Sequence, residues 1–277
     1  MAMTLPELYN QSNDITIKST QEHIKKHRNL IKWKDGESIL DIGIGDGNCS
    51  VLCLKPILPE NYKEFFAMDV SNLMLEYAKG NINFPRTHFV QFDMASEDIQ
   101  DCLLERFDHI FSFYCIHMIR NTSQVFRNIY KMAKPNGQIF LTIMEYSCAD
   151  ASFHELNQHP KWGKYGQKMT VSPFYYSSSP EDAYRKLLGD AGFVNYTLKT
   201  EKVSYDWDNE ETWKNFCISI NPLISKIPIE EVEEYQNDYV ETMRKYFNFY
   251  EDKNKQVINI KYNMFIIVGN KTVFSKE

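Results

Sequence analysis

The sequence predicts an α/β fold: a mostly parallel sheet of seven strands, with helices on both faces and a last strand that runs antiparallel. Two observations predict it. From residue 38 onward, short apolar runs alternate with stretches of helical periodicity, which is the pattern of repeated strand–helix units. A glycine-rich segment at residues 43–47 joins the first strand to the first helix, at the edge of the sheet where such folds bind ligands.

The first half of this alternation contains four predicted strands and two helices. The fourth strand, Phe107 to Phe113, is nearly all apolar and aromatic, as expected of a strand buried on both faces. In the second helix, Ser71 is a candidate cap, and Met74, Leu75 and Ala78 form an apolar stripe. The predicted bounds are 38–42, 63–70, 87–92 and 107–113 for the strands, and 48–58 and 71–79 for the helices.

Two helices and three strands follow in the second half. The third helix ends at Lys134-Pro135-Asn136-Gly137, because proline cannot continue a helix and glycine favours a turn. Gly192 closes the fourth helix, and the last strand is expected to enter the sheet antiparallel. The predicted bounds are 123–133 and 180–191 for the helices, and 138–144, 195–203 and 255–269 for the strands.

Three aromatic-rich segments fall outside the alternation. Because ligands bind at the carboxyl ends of the strands, we expect these segments to fold over that edge as a helical, aromatic lid. We predict a single domain over residues 1–277. Its core is expected at 35–145, 180–206 and 255–272, and its lid segments at 1–34, 146–179 and 207–254.

Composition limits the classes of function. The chain has 277 residues, 43% of them hydrophobic, and a formal net charge of −6. A mildly acidic chain without a Lys/Arg cluster argues against nucleic acid as the main partner, because phosphate contacts need concentrated positive charge. We find no secretory signal, no apolar run long enough to span a bilayer, and no C-x-x-C pair among the six cysteines. The expected location is cytoplasmic.

The motif that indicates chemistry is Asp41-Ile-Gly43-Ile-Gly45-Asp-Gly47. Its glycines let the backbone turn sharply and approach a ligand closely. Dinucleotide enzymes have G-x-G-x-x-G, and here the third glycine position, counted from Gly43, is Asn48, so a nicotinamide or flavin cofactor fits poorly. Asp41 fits badly beside a pyrophosphate but well near an ammonium group.

Two further acids end neighbouring predicted strands. Asp69, followed by Val70, lies where an acid can bind ribose hydroxyls, and Asp93 lies where it can accept a hydrogen bond from an adenine amino group with Met94 against the ring. Either acid could instead be a helix cap. The glycine loop with an acid at each of the next two strand ends is a stronger signal than the loop alone.

On these motifs the chain resembles the class I S-adenosylmethionine-dependent methyltransferases, and more closely the insect juvenile hormone acid methyltransferases. The resemblance includes Leu8-Tyr9, Ser12-Asn13, Trp33-Lys34-Asp35-Gly36, the segment from Phe107 to His117, and Ile220-Asn221-Pro222. It implies a Rossmann-like fold, S-adenosylmethionine as cofactor, and methyl transfer to the carboxylate of a small apolar sesquiterpenoid acid. Within the matching segments, Ser112 is a further expected cofactor-binding residue.

The acceptor site departs from the family pattern at two positions. The family has Trp after the histidine of the fourth strand-end motif, where this chain has Met118, and Gln in the N-terminal segment, where it has Thr16. The acceptor is therefore either an apolar acid or a phenol, an amine or a different acid. A third possibility is a cofactor-binding protein without catalysis.

Methyl transfer from an activated sulfonium requires positioning and the exclusion of water. A carboxylate acceptor is already ionised, whereas a phenol or amine usually needs a base, for which His117 is the candidate; it could also donate a hydrogen bond or be structural. Trp162, Phe174 and Trp213 are candidate substrate contacts or ordinary core. His23 and His27, spaced i and i+4, could suit a metal, but a solvated helix face is favoured, so we predict no metal site.

Overall fold

The structure is a computed structural model that describes residues 3–166, 172, 174–252 and 255–272. Its sheet has the strand order β3-β2-β1-β4-β5-β8-β6, and β7 also pairs with β8. The strands β1 to β5 pair in parallel, and β8 runs antiparallel to β5, β6 and β7. The predicted mostly parallel sheet with an antiparallel last strand is confirmed. The strands are β1 Ser38–Ile42, β2 Glu64–Asp69, β3 Thr87–Gln91, β4 Phe107–Phe113, β5 Ala133–Met144, β6 Asn195–Trp207, β7 Asn248–Asp252 and β8 Lys255–Asn270.

Helices cover both faces of this sheet. Ser71 caps α3, where its side chain accepts a hydrogen bond from Met74 N, as predicted. The helices are α1 Pro6–Ser12, α2 Asp14–His27, α3 Asn72–Asn81, α4 Thr122–Met132, α5 Cys148–Leu156, α6 Pro180–Ala191, α7 Glu210–Ser219 and α8 Val232–Arg244.

Two predictions of local structure are wrong, and a third is right except in its regularity. The segment predicted as a helix over 48–58 is helical but irregular: a π-helical turn, Ser50–Leu54, is followed by a 3₁₀ turn that contains Pro56, which lacks the N–H of a regular helix. The turn predicted at 134–137 lies within β5 as an irregularity, with Asn136 at a φ of 64°. Residues 248–252, predicted helical, form β7, which covers the edge of β8 that extends beyond β5.

Apolar residues alternate between the two faces of the central strands. Leu40 and Phe66 join a cluster with α4 and α6, and Ile39 and Phe65 join a cluster with α2 and α3 on the other face. A third cluster joins residues from all three predicted lid segments, including Ile15, Phe153, Trp162, Trp213 and Tyr239. The three lid segments therefore share an apolar core of their own, here called the lid cluster.

Candidate active site

The glycine turn after β1 has the backbone that its sequence predicts. Gly43, Gly45 and Gly47 have φ values of 74°, 56° and 85°, in the left-handed region that favours glycine. A Cβ on Gly43 would lie 2.3 Å from Cys115 Sγ, and a Cβ on Gly47 would lie 2.9 Å from Ile82 Cγ1. The glycines therefore let the turn pack tightly against β4 and α3.

A cavity of about 310 Å³, here called the strand-end cavity, lies at the carboxyl ends of β1 to β4 under the N-terminal helices. The glycine turn lines it, together with the ends of β2 and β3. The predicted site residues that line it are Gly43, Gly45, Asp69, Val70, Asp93, Met94, Thr16 and Met118. The fold thus brings most of the predicted cofactor residues to one place.

Asp69 is held in this cavity by backbone donors. Its Oδ2 accepts from Gly45 N at 3.0 Å, and its Oδ1 accepts from Ser71 N at 2.8 Å. Burial raises the pKa of this carboxyl above its ordinary value. Asp93 is exposed and accepts from Ala95 N at 2.8 Å, whereas Met94 beside it is buried.

Asp41 and Ser112 lie under the glycine turn and do not line the cavity. The Oδ2 of Asp41 accepts from Ser50 Oγ at 2.6 Å, and burial raises the pKa of this carboxyl to about 7. Ser112 Oγ donates to the carbonyl of Ile42 at 3.0 Å. In this structure both side chains therefore support the turn from below.

A second, smaller cavity of about 100 Å³ lies between the ends of β4 and β5 and the lid, and is here called the lid cavity. His117, Asp150 and several apolar side chains of the lid line it. Five residues line both cavities: Met3, Tyr9, Thr16, Tyr114 and Met118. The two cavities therefore share a wall.

The chain matches the sequence model of a known protein family. The family model described as "Methyltransferase domain" matches residues 21–198, from α2 to β6, which is more than half of the chain. The chain belongs to the methyltransferase family. It is an S-adenosylmethionine-dependent enzyme, as the motifs predict.

Two curated relatives resemble this methyltransferase along most of its length. The juvenile hormone acid O-methyltransferase of Bombyx mori is 29% identical over 271 residues, which cover 96% of each chain. The protein of the same name from Drosophila melanogaster is 28% identical over 245 residues, which cover 86% of this chain and 82% of the relative.

A solved structure shows the same fold. Haemonchus contortus phosphoethanolamine N-methyltransferase 2, in complex with phosphomonomethylethanolamine and S-adenosylhomocysteine, matches with a TM-score of 0.51 and 16% identity. The match covers 91% of this methyltransferase and 53% of that chain.

His117 is the most buried polar ring of the lid cavity. It is 6% exposed, burial lowers its pKa to about 4, and its Nδ1 has no hydrogen-bond partner among the described residues. The imidazole is therefore neutral at pH 7 and has one ring nitrogen available. Asp150 in the same cavity accepts from Ser172 N at 2.8 Å, and burial raises its pKa to about 7.

Sequence reasoning missed a polar cluster that joins the glycine turn to the N-terminal helices. Asp46 Oδ2 accepts from Asn10 Nδ2 at 2.9 Å and from Asn13 Nδ2 at 3.0 Å, and Asp46 and Asn13 line the strand-end cavity. The Oδ1 of Asn13 is buried without a partner among the described residues. The position of Asp46 between two glycines of the motif was the available signal.

The three aromatic residues predicted to contact substrate line neither cavity. Trp162 donates from Nε1 to Asp238 at 2.7 Å, and Trp213 packs edge-on against Phe247. Phe174 packs against Tyr184 under the sheet. In this structure Trp162 and Trp213 belong to the apolar interior of the lid, and Phe174, which is partly buried, packs against the sheet cluster that contains Tyr184.

The interpretation of His23 and His27 as a solvated helix face is wrong. Both are 4% exposed, and both ring systems lie within hydrogen-bond distance of Glu201 on β6.

Over the described ranges, no group of three or more His, Cys, Asp or Glu side chains is arranged to hold a metal ion. Within those ranges, too, no helix has the length and apolar character that crossing a bilayer requires.

Proposed function

We propose that this methyltransferase transfers a methyl group to the carboxylate of a small apolar acid of the farnesoic or juvenile hormone acid type. The observation that carries the proposal is the 29% identity over 96% of both chains to a juvenile hormone acid O-methyltransferase. That match spans the lid segments as well as the sheet, so it includes the segments that line the lid cavity. The lid cavity, lined by Phe153, Phe216 and Ile220, suits an apolar acceptor.

The proposed cofactor residues fit the chemistry of S-adenosylmethionine. Asp69 keeps lone pairs free to accept from ribose hydroxyls, and Asp93 with Met94 suits an adenine ring and its amino group. Val70 lines the same cavity. Gly43, Gly45 and Gly47 let the backbone approach closely, and Ser112 supports the turn through the carbonyl of Ile42. Asp41 under the turn, whose pKa of about 7 leaves it partly ionised at neutral pH, adds negative potential that favours ammonium and sulfonium groups.

The bound cofactor supplies a methyl group that is already activated. A carboxylate acceptor has a pKa of about 4 and needs no base at neutral pH. We assign to neutral His117 a hydrogen bond to the acceptor rather than proton removal, since a ring with a pKa of about 4 is a weak base. Thr16 and Met118, in the wall shared by the cavities, border the place where donor and acceptor meet.

The test is methyl transfer from labelled S-adenosylmethionine to a panel of farnesoic acid, juvenile hormone acid, medium-chain fatty acids, phenols and amines. We expect label in a sesquiterpenoid ester that mild base hydrolyses. Label only in base-stable products, or turnover of none of the acids by an enzyme that binds the cofactor, would contradict the proposal.

A second candidate function, methyl transfer to an amine or phenol, is favoured by Asp150. An ionised carboxylate in the lid cavity attracts a cationic acceptor and can take a proton from a phenol, whereas it repels an acceptor that is itself a carboxylate. The variant Asp150→Asn separates the two candidates. It should leave or raise the rate with an acid acceptor above pH 7, and it should lower the rate with an amine or phenol.

A further inference from the structure

One face of α2 is joined to the sheet by a chain of hydrogen bonds. Ser19 Oγ lies 3.1 Å from His23 Nε2, and His23 Nδ1 lies 3.2 Å from Glu201 Oε2. The other oxygen of Glu201 accepts from His27 Nε2 at 2.7 Å and from Lys26 Nζ at 2.8 Å. Every one of these groups except Lys26 is largely buried.

The other end of this chain is Tyr114, in the wall between the two cavities. Its hydroxyl lies 2.6 Å from Ser19 Oγ and 2.6 Å from Tyr262 Oη. Tyr114 has a φ of 53°, an unusual backbone for a bulky residue, and it lines both the strand-end cavity and the lid cavity. The strained residue therefore lies where cofactor and acceptor would meet.

The donors and acceptors run in one direction. The Tyr114 hydroxyl donates to Ser19, so the Ser19 hydroxyl is free to donate to His23 Nε2, and His23 then donates from Nδ1 to Glu201. This order requires a neutral His23, and burial does lower its pKa. Although burial raises the pKa of Glu201, hydrogen bonds from Lys26 and His27 outweigh it and set the value at about 2, so the chain ends on a carboxylate.

We propose that Ser19, His23 and Glu201 are positioning residues of the methyl transfer, which hold the Tyr114 phenol in the wall shared by the two cavities. The same chain holds α2 in place, and α2 also carries Thr16, one turn before Ser19, into both cavities. The inference rests on the methyltransferase activity and not on the class of acceptor.

The experiment measures three variants, Ser19→Ala, Tyr114→Phe and the double variant that combines these two changes. Thr20→Ala is measured beside them as the control. Thr20 is the matched control, since it is the next residue on α2 and is equally buried, but its hydroxyl has no part in the chain. Affinity for S-adenosylmethionine is measured by calorimetry, and kcat and KM are measured with an acceptor that the wild type methylates. Each single variant should lower kcat or cofactor affinity by about threefold to tenfold, the loss expected for one hydrogen bond.

Three results distinguish positioning from a merely structural role. The double variant should lose no more than the worse single variant, because both changes break the same chain. Ser19→Thr, which keeps the hydroxyl, should restore most of the loss. KM for the acceptor should change less than kcat. Additive losses, no rescue by Thr, or values for Ser19→Ala that match those of Thr20→Ala would overturn the inference.

The outcome can be separated from that of the proposed acid specificity. An enzyme that methylates none of the acids contradicts the specificity alone, because calorimetry of cofactor binding needs no acceptor. The comparison of Ser19→Ala, Tyr114→Phe and Thr20→Ala then decides the inference on cofactor affinity.

Discussion

The residues of the site fall into two groups. The positions of some are determined by the local backbone, and the positions of others are determined by contacts with residues distant in the sequence. The glycine turn and Asp69 could be predicted, because a strand-to-helix turn limits both the residue types and the direction of the strand end. The contacts of Asp46 with Asn10 and Asn13 could not be predicted, because they depend on how α1 and α2 dock. The burial of His23 could not be predicted for the same reason, because its partner Glu201 lies 178 residues further along the chain.

Gly43→Ala is expected to destabilise the protein and to abolish cofactor binding. The added Cβ would lie 2.3 Å from Cys115 Sγ on a backbone with a φ of 74°, so the turn must move. Gly189→Ala in α6 is the control, because nothing lies within 4 Å of its added Cβ, and it should stabilise by about 0.5–1 kcal/mol. Urea unfolding and calorimetry measure both effects. Normal cofactor affinity in Gly43→Ala would show that the turn tolerates a side chain.

His117 predicts a pH dependence of stability. Its pKa is about 4 in the folded protein against about 6.5 unfolded, so between these values the unfolded chain binds more protons. The resulting stability is present above pH 6.5 and is lost as the pH falls towards 4. Relative to the wild type, His117→Asn should gain about 1–3 kcal/mol between pH 7 and pH 4.5.

Urea unfolding at both pH values measures this gain, with His159→Asn as the control at an exposed histidine. A wild type and a His117→Asn variant that lose stability in parallel would show that His117 is protonated in the folded state.

At the scale of elements, periodicity predicted the central sheet but not the aromatic segments. The strands β1 and β4 match the predicted bounds because a buried parallel strand is a continuous apolar run. The strand β7 was missed because its sequence, Asn-Phe-Tyr-Glu-Asp, has no apolar run. It is extended because it pairs with the edge of β8. Aromatic composition, likewise, did not separate Trp213 in the lid core from a residue in contact with a ligand.

Trp213→Phe tests whether this residue is structural. The side chain is fully buried in the lid cluster and stacks edge-on against Phe247 and Phe249, so the smaller ring should cost about 1–3 kcal/mol of stability. Cofactor affinity and the KM of the acceptor should stay within about twofold of the wild type, since the ring lines neither cavity. A large increase in the KM of the acceptor at unchanged stability would instead indicate that Trp213 contacts the acceptor.

At the scale of the whole molecule, the three lid segments and the core are built around one pair of cavities. The lid cluster draws residues from α2, α5, α7 and α8, and it includes Ile258 and Ile260 of β8, the strand that β5 and β6 flank. We therefore propose that the chain folds as one domain. The sequence predicts one domain from the alternation of strands and helices, whereas composition alone does not separate a lid from a second domain, because the two have similar apolar content.

One-domain folding predicts that S-adenosylmethionine stabilises core and lid together. At a concentration of about 100 times Kd the cofactor adds about 2.7 kcal/mol, which raises the melting temperature by about 5–10 °C for a protein of this size. Three of the four tryptophans, Trp162, Trp207 and Trp213, lie in the lid cluster, so tryptophan fluorescence reports mainly on the lid. Far-UV circular dichroism reports on all the helices and strands.

The two signals should melt at one temperature and shift by the same amount when the cofactor is added, because the lid residues Met3 and Tyr9 line the strand-end cavity, which is the proposed cofactor site. Asp69→Ala, which removes the carboxylate that we propose binds the ribose hydroxyls, serves as the control and should abolish both shifts. A fluorescence transition that stays at its temperature while the circular dichroism transition rises would mean that the lid unfolds independently. In that case α1 and α2 would be the only lid elements that unfold together with the sheet core.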